Sequence, residues 1–171
     1  MSFCGRSILD GEIPKPVDAS VLHPLRETLL CFLKSLEPEF VNMGYYVQPD
    51  LPEKKLRNVR TFCEIPPREN VLAFIDHTLL GSAKNCLAVG TQGIYGRNDW
   101  TGKVSGPWHV SFQALATAQF QESGVFEIEI TYLKSPLDAN KKAYVAVSGG
   151  YMKLKTEMQF LQRLKAVIQK D

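Results

Sequence analysis

Three histidines occur in the chain, and two of them stand where chemistry would be built. Asp76 and His77 are adjacent, and His109 follows some thirty residues on. Together they would offer two ring nitrogens and a carboxylate to a metal or to acid–base work. The spacing speaks against it. If residues 71–77 form a strand, Asp76 and His77 point to opposite faces, and no helical or hairpin interval joins His77 to His109. An Asp that enters a turn is ordinarily hydrogen-bonded to the amides that follow it, and that is the expectation for Asp76. His23, at a helix start, reads as a capping or surface residue. Cys4, Cys31, Cys63 and Cys86 are separated by 27, 32 and 23 residues, which matches no CxxC or zinc pattern. Cys31, on an apolar helix face, and Cys86, inside a strand, read as small core residues. Gly90, Gly93 and Gly96 form GTQGIYG, which is not a dinucleotide fingerprint and lies in a hairpin rather than before a helix. No nucleophile elbow, P-loop or HExxH is present. The reading is therefore no catalytic residue, no metal and no cofactor, with a cryptic His77/His109 enzyme site as the alternative.

Aromatic and charged residues point to binding instead. Arg97, Asp99, Trp100 and Lys103 fall in one polar stretch, RNDWTGK, and Trp108–His109 follow after Gly106–Pro107. Trp and Arg are enriched at interface hot spots, although large aromatics serve cores first. Glu127 and Glu129 alternate with apolar residues and would line the wet face of a strand. The expected partner-binding residues are Arg97, Asp99, Trp100, Lys103, His109, Glu127 and Glu129. Asp76 joins them if the partner is a basic protein.

The elements that must position these residues follow from hydrophobic period. Leu22, Leu25, Leu29, Phe32, Leu33 and Leu36 lie on one stripe of a helix over 20–36, with Ser20 as N-cap and Pro38 closing it. Homo-oligomerisation through that helix is one expectation. Five prolines break up 37–70, where a short helix over 53–60 is expected and Phe62, Cys63 and Ile65 would open the first strand. From residue 70 on, short apolar runs alternate with Gly, Asn and Asp clusters. Strands are expected near 71–77, 85–90, 92–97, 107–112, 114–121, 125–133 and 142–148. In 125–133, Phe126, Ile128, Ile130 and Tyr132 would be buried, and Val125, Glu127, Glu129 and Thr131 would form the mostly wet face. A last amphipathic helix spans about 152–169, where Glu157 is the one polar member of a stripe completed by Phe160, Leu161, Leu164, Val167 and Ile168.

The totals narrow the class of partner. The chain has 171 residues, 20 Lys+Arg and 18 Asp+Glu, a net charge of +2. That balance does not suit nucleic acid. Residues 135–171 carry a net +4, which reads as a solvated helix face or, as the second alternative, as a patch for anionic lipid. No 18-residue apolar run exists, so no membrane span is expected. The segment MSFCGRSILDGEIPKP lacks the apolar core of an export signal, and the expected location is the cytoplasm, with reduced thiols.

Seven short antiparallel strands followed by one amphipathic helix are the layout of a pleckstrin-homology-like (PH-like) domain. Residues 70–171 resemble the PH-like domains of small bacterial proteins of uncharacterised function. The resemblance rests on Asp76, Thr78 and Gly81 in IDHTLLGSAKN, on Thr91, Gly93, Ile94 and Tyr95 in TQGIYGRND, and on Trp108, Ser111 and Phe112. A glycine common near the position of Cys86 in that pattern is absent. The resemblance implies an α+β fold: a bent antiparallel sheet or barrel with a C-terminal capping helix, here preceded by an N-terminal helical extension over 1–69. It implies binding of a lipid headgroup or a protein. Lipid-binding members carry a basic cluster at the first hairpin, and the corresponding loop offers only Lys84, so a protein partner is preferred. The expectation is a non-enzymatic protein-binding module, acting as an adaptor or as an immunity-type inhibitor that occludes a toxin.

Overall fold

The computed structural model describes residues 22–99, 106–133, 140–146 and 153–170. The elements in chain order are α1 (Leu22–Ser35), β1 (Tyr45–Val47), α2 (Glu53–Phe62), β2 (Ala73–Asp76), β3 (Cys86–Val89), β4 (Gly93–Arg97), β5 (Pro107–Ser111), α3 (Phe112–Thr117), β6 (Gln119–Glu122), β7 (Glu127–Tyr132), β8 (Lys141–Ala146) and α4 (Leu154–Ile168). The fold is α+β. Strands β1 to β5 form one antiparallel sheet in sequential order, and β6 to β8 form a second. The two do not close into one barrel among the described residues. A C-terminal helix packs on them, consistent with the expected bent sheet and capping helix.

Register explains why the first sheet is buried on both faces. Tyr46, Phe74, Ala88 and Tyr95 stand opposite one another across four strands, and Asp76, Cys86 and Arg97 form the neighbouring row. With a side-chain period of two, both rows share a face, and α2 lies over it. Val59 and Cys63 from the α2 segment join Phe74, Cys86, Ala88 and Tyr95 in one small core. The opposite face carries Ala73, Ile75, Leu87, Val89 and Ile94. These pack into the main core with Leu29, Leu33 and Leu36 of the α1 segment, Ile128 and Ile130 of β7, and Phe160, Leu161 and Leu164 of α4. Phe40, Tyr45 and Phe160 meet edge-on or tilted, with centroids 5.2–6.4 Å apart. Residues 22–69 thus share a core with the strands and supply the edge strand β1. The apolar stripe of α1, on which an oligomer interface would have been built, faces this core.

Several expectations are corrected. Residues 114–121 are not one strand. Ser111 Oγ accepts from Ala114 N at 3.3 Å and starts α3, and the strand begins only at Gln119. Phe62 ends α2 rather than opening a strand. Cys31 is exposed, because two residues of helix turn it about 200° from Leu29. In β7 every position from Glu127 to Ile130 is buried, and Phe126 is exposed at the hairpin tip beside Val125, which is exposed as expected. Ser20 lies outside the described residues.

Candidate functional site

The described residues among those expected to bind a partner are divided between the two sheets, Arg97, Asp99 and His109 at the first and Glu127 and Glu129 in the second. Arg97 ends β4, donates from Nε to Asp99 Oδ2 at 2.8 Å, and donates from a second nitrogen to the Phe62 carbonyl at 3.2 Å. His109 is exposed on β5 and stacks on Tyr95, centroids 4.4 Å apart. Trp100 and Lys103 lie outside the described residues. Trp108 is partly buried against the main core. Glu127 and Glu129 belong to the other sheet and are buried rather than wet. Glu129 is held by Lys142 Nζ at 2.9 Å, Tyr144 Oη at 2.9 Å and Gln121 Nε2 at 2.9 Å, from the strands on either side. The Lys142 hydrogen bond holds the Glu129 carboxyl below its ordinary range, against the opposing effect of burial and with help from Tyr144.

His77 and His109 do not form a joint site. His77 Nε2 stands 2.8 Å from Glu157 Oε1 of α4, both side chains buried, whereas His109 lies against Tyr95. Asp76 and His77 do face opposite sides of β2. Asp76 meets α2, and His77 meets α4. Glu157 was visible in sequence as the one acid on an apolar stripe, and such a residue demands a buried partner.

A different cluster has the character of a site. Asn42, Gly44, Tyr46, Lys55, Asp76 and Gly81 line a cavity of about 270 Å³. Lys55 projects from α2, and its Nζ donates to Asp76 Oδ2 at 2.9 Å and to Tyr46 Oη at 2.8 Å. It also lies over the Tyr46 ring, 4.6 Å from the centroid. Asp76 closes the turn after β2, as expected for an Asp in that place. Its Oδ1 accepts from Thr78 N at 2.9 Å, Thr78 Oγ1 at 2.5 Å and Ala83 N at 3.1 Å. The backbone here is unusually constrained. Asn42, Gly44, Gly81 and Ala83 all have positive φ, between 53° and 72°, and such residues gather at functional sites. A Cβ on Gly44 would lie 2.8 Å from the Asp76 carbonyl oxygen, and one on Gly81 would lie 3.1 Å from Lys55 Nζ. Both glycines keep the cavity open.

The cavity has a mixed lining, with Asn42, Lys55 and Asp76 beside Tyr46 and two glycines, and exposed apolar residues adjoin the lining residues in sequence. The turn that Asp76 organises lifts Leu79 and Leu80 into solvent, 56% and 96% exposed, and Val41, next to lining residue Asn42, is 61% exposed. Inside, burial works against the Lys55 charge. The hydrogen bonds to Tyr46 and Asp76 and the Asp76 carboxylate outweigh it and raise the Lys55 pKa above its ordinary value. An ammonium has three donors. Two are engaged, by Tyr46 and Asp76, among the described residues. Among the described residues no group of three or more His, Cys, Asp or Glu is arranged to hold a metal.

Sequence reasoning did not select Lys55, Tyr46, Leu79 or Leu80. One signal was present: two consecutive leucines inside a turn bracketed by Asp76 and Gly81, where polar residues are the rule. No family model, no curated protein and no solved structure matches the chain. Among the described residues no helix is long and apolar enough to cross a membrane.

Proposed function

We propose that this chain is a non-catalytic, PH-like protein-binding module that grips its partner at the Tyr46–Lys55–Asp76 cavity. The partner would present an acidic side chain flanked by apolar ones. The acid would meet the Lys55 ammonium, and the apolar neighbours would cover Val41, Leu79 and Leu80. The observation that carries this reading is a fixed ammonium beside Gly81, on a tightly hydrogen-bonded turn whose preceding residues, Leu79 and Leu80, are exposed. At this cavity the same geometry favours holding a ligand over nucleophilic chemistry by Lys55 or base chemistry by Asp76. A nucleophilic lysine needs a lowered pKa, and that of Lys55 is raised. Asp76 already accepts from Thr78, Ala83 and Lys55, so it makes a poor base.

Two finer readings draw less support. An acidic face for a basic toxin would have used Asp76, Asp99, Glu127 and Glu129. Asp76, Glu127 and Glu129 are buried, and Asp99 is paired with Arg97. A lipid patch on α4 loses Arg163 to Glu39, at 2.7 Å, and Lys165 to the Ala118 carbonyl, at 2.8 Å.

Affinity capture from native lysate tests the proposal when the wild type runs beside a Leu79→Ser/Leu80→Ser variant and a Lys55→Met variant. Burying a leucine contributes about 1.5–3 kcal/mol, so the purified partner should bind the leucine variant at least about tenfold more weakly. Lys55→Met should weaken binding most for partners whose acidic residue is intact. Equal capture by all three proteins overturns the proposal. Binding of the wild type to anionic vesicles at low salt, unaffected by the variants, would put the lipid reading in its place.

A further inference from the structure

The seam between α2 and the first sheet holds a second group of reactive side chains. Cys63 caps the C-terminus of α2, and Cys86 sits on β3 opposite Asp76. Their Sγ atoms are 3.2 Å apart, joined by a thiol hydrogen bond within the small core. A disulfide needs about 2.05 Å, so a shift of roughly 1 Å would bond them. The pair is not sealed off. Cys63 lines a second cavity, of about 330 Å³, with Gln92, Tyr95, Trp108 and His109. Both thiols are buried, but only Cys63 borders this cavity, and Arg97, paired with Asp99, also donates to the carbonyl of the preceding residue, Phe62.

We propose that Cys63 and Cys86 form a reversible disulfide in response to peroxide, and that this bond pins the end of α2 to β3. The Cys63 sulfur attacks hydrogen peroxide that enters through the cavity. An S–O bond forms, the O–O bond breaks, and water leaves with the thiol proton, giving a sulfenic acid. The Cys86 sulfur then attacks the Cys63 sulfur. The S–S bond forms, the S–O bond breaks, and the hydroxyl leaves as water with the Cys86 proton. Overall, two thiols and one peroxide give one disulfide and two waters, and a dithiol reductant reverses the bond by exchange. The order of attack follows from position: Cys63 faces the cavity and Cys86 lies behind it. The hydrogen bond to Cys63 and then burial push the Cys86 thiol well above the ordinary range, which makes it the poorer first nucleophile. The proposal is independent of any partner.

The test uses the full chain with Cys4→Ser and Cys31→Ser, which removes the exposed thiol of Cys31 and that of Cys4. After hydrogen peroxide, the protein is denatured, alkylated and peptide-mapped. The expected product is a monomer two hydrogens lighter, with residues 63 and 86 cross-linked. Its Tm should rise by roughly 5–10 °C for a closed loop of this size and should fall back with dithiothreitol. In a Cys86→Ala variant a 1,3-dione probe should label Cys63, and in a Cys63→Ala variant it should leave Cys86 unlabelled. Recovery of both thiols as alkylated after peroxide overturns the proposal. Over-oxidation of Cys63 without a cross-link overturns it too, as does probe labelling at Cys86.

Discussion

Replacing Asp76 by Ala removes one carboxylate on which the whole β2–β3 turn converges. Three hydrogen bonds reach its Oδ1 and one reaches its Oδ2. The losses are unequal. Thr78 N loses its acceptor in a buried place, whereas Ala83 N keeps Thr78 Oγ1 at 3.1 Å. Lys55 is partly exposed and turns to water. A charge-assisted hydrogen bond contributes about 1.5–3 kcal/mol, and an orphaned buried donor costs about 1–3 kcal/mol. Neighbouring effects are not additive, so Asp76→Ala should cost about 3–4 kcal/mol. Asp76→Asn separates the contributions. Its carbonyl can replace Oδ1 towards Thr78 and Ala83, while its amide faces Lys55 and forfeits only that pair, worth about 1 kcal/mol at a partly exposed position. Urea denaturation followed by Trp fluorescence gives both values. Asp76→Ala within about 1 kcal/mol of wild type would refute the reasoning. An Asp76→Asn cost equal to that of Asp76→Ala would show that the ion pair, not the turn, holds the loop.

Other outcomes follow from the same geometry. Gly44→Ala combines φ +72° with a Cβ 2.8 Å from the Asp76 carbonyl oxygen, and should lower stability by about 2–3 kcal/mol in urea melts. Leu80→Ser changes a side chain that is almost wholly in water, so its unfolding free energy from urea melts should match the wild type within about 0.5 kcal/mol. Phe160→Ala removes a ring shared by α4, Phe40 and Tyr45 and should cost about 3–5 kcal/mol, in a single transition that includes residues 22–69. Acid should act partly through Glu129. Its folded pKa is lowered from an ordinary value of 4.5, so its contribution is full above that value and is lost as pH falls through the folded pKa. Urea midpoints measured from pH 6 down to pH 3 should therefore fall less steeply in Glu129→Gln than in the wild type, and equal slopes would contradict the assignment.

Strands β2 to β5 and the two long helices were legible because their periods of 2 and 3.6 run between clear turn signals. Residues 114–121 were not, because Phe112, Ala114 and Leu115 suit a helix turn as well as a strand, and only the Ser111 cap decides between them. Strand β1 has three residues between Gly44 and Pro49, too few for any period to show. Glu127 and Glu129 read as wet because alternation reveals which residues share a face, not whether a second layer covers it. The Asp76 turn was legible, since the residue type and its place before a Gly dictate it. The cavity beside it was not, because Lys55 and Tyr46 come from a segment that pattern alone left without a position. The same limit hid Cys63 from Cys86, whose contact depends on where α2 lies across the sheet.

The gripping surface proposed for this chain is the Leu79–Leu80 turn. The deciding measurement is calorimetric titration of a partner captured by the wild type into purified wild type and into Leu79→Ser/Leu80→Ser, after urea melts have shown equal stability. The expected result is binding to the wild type with at least about tenfold loss in the variant. Equal affinity for both proteins would contradict the account and move the interface elsewhere on the molecule.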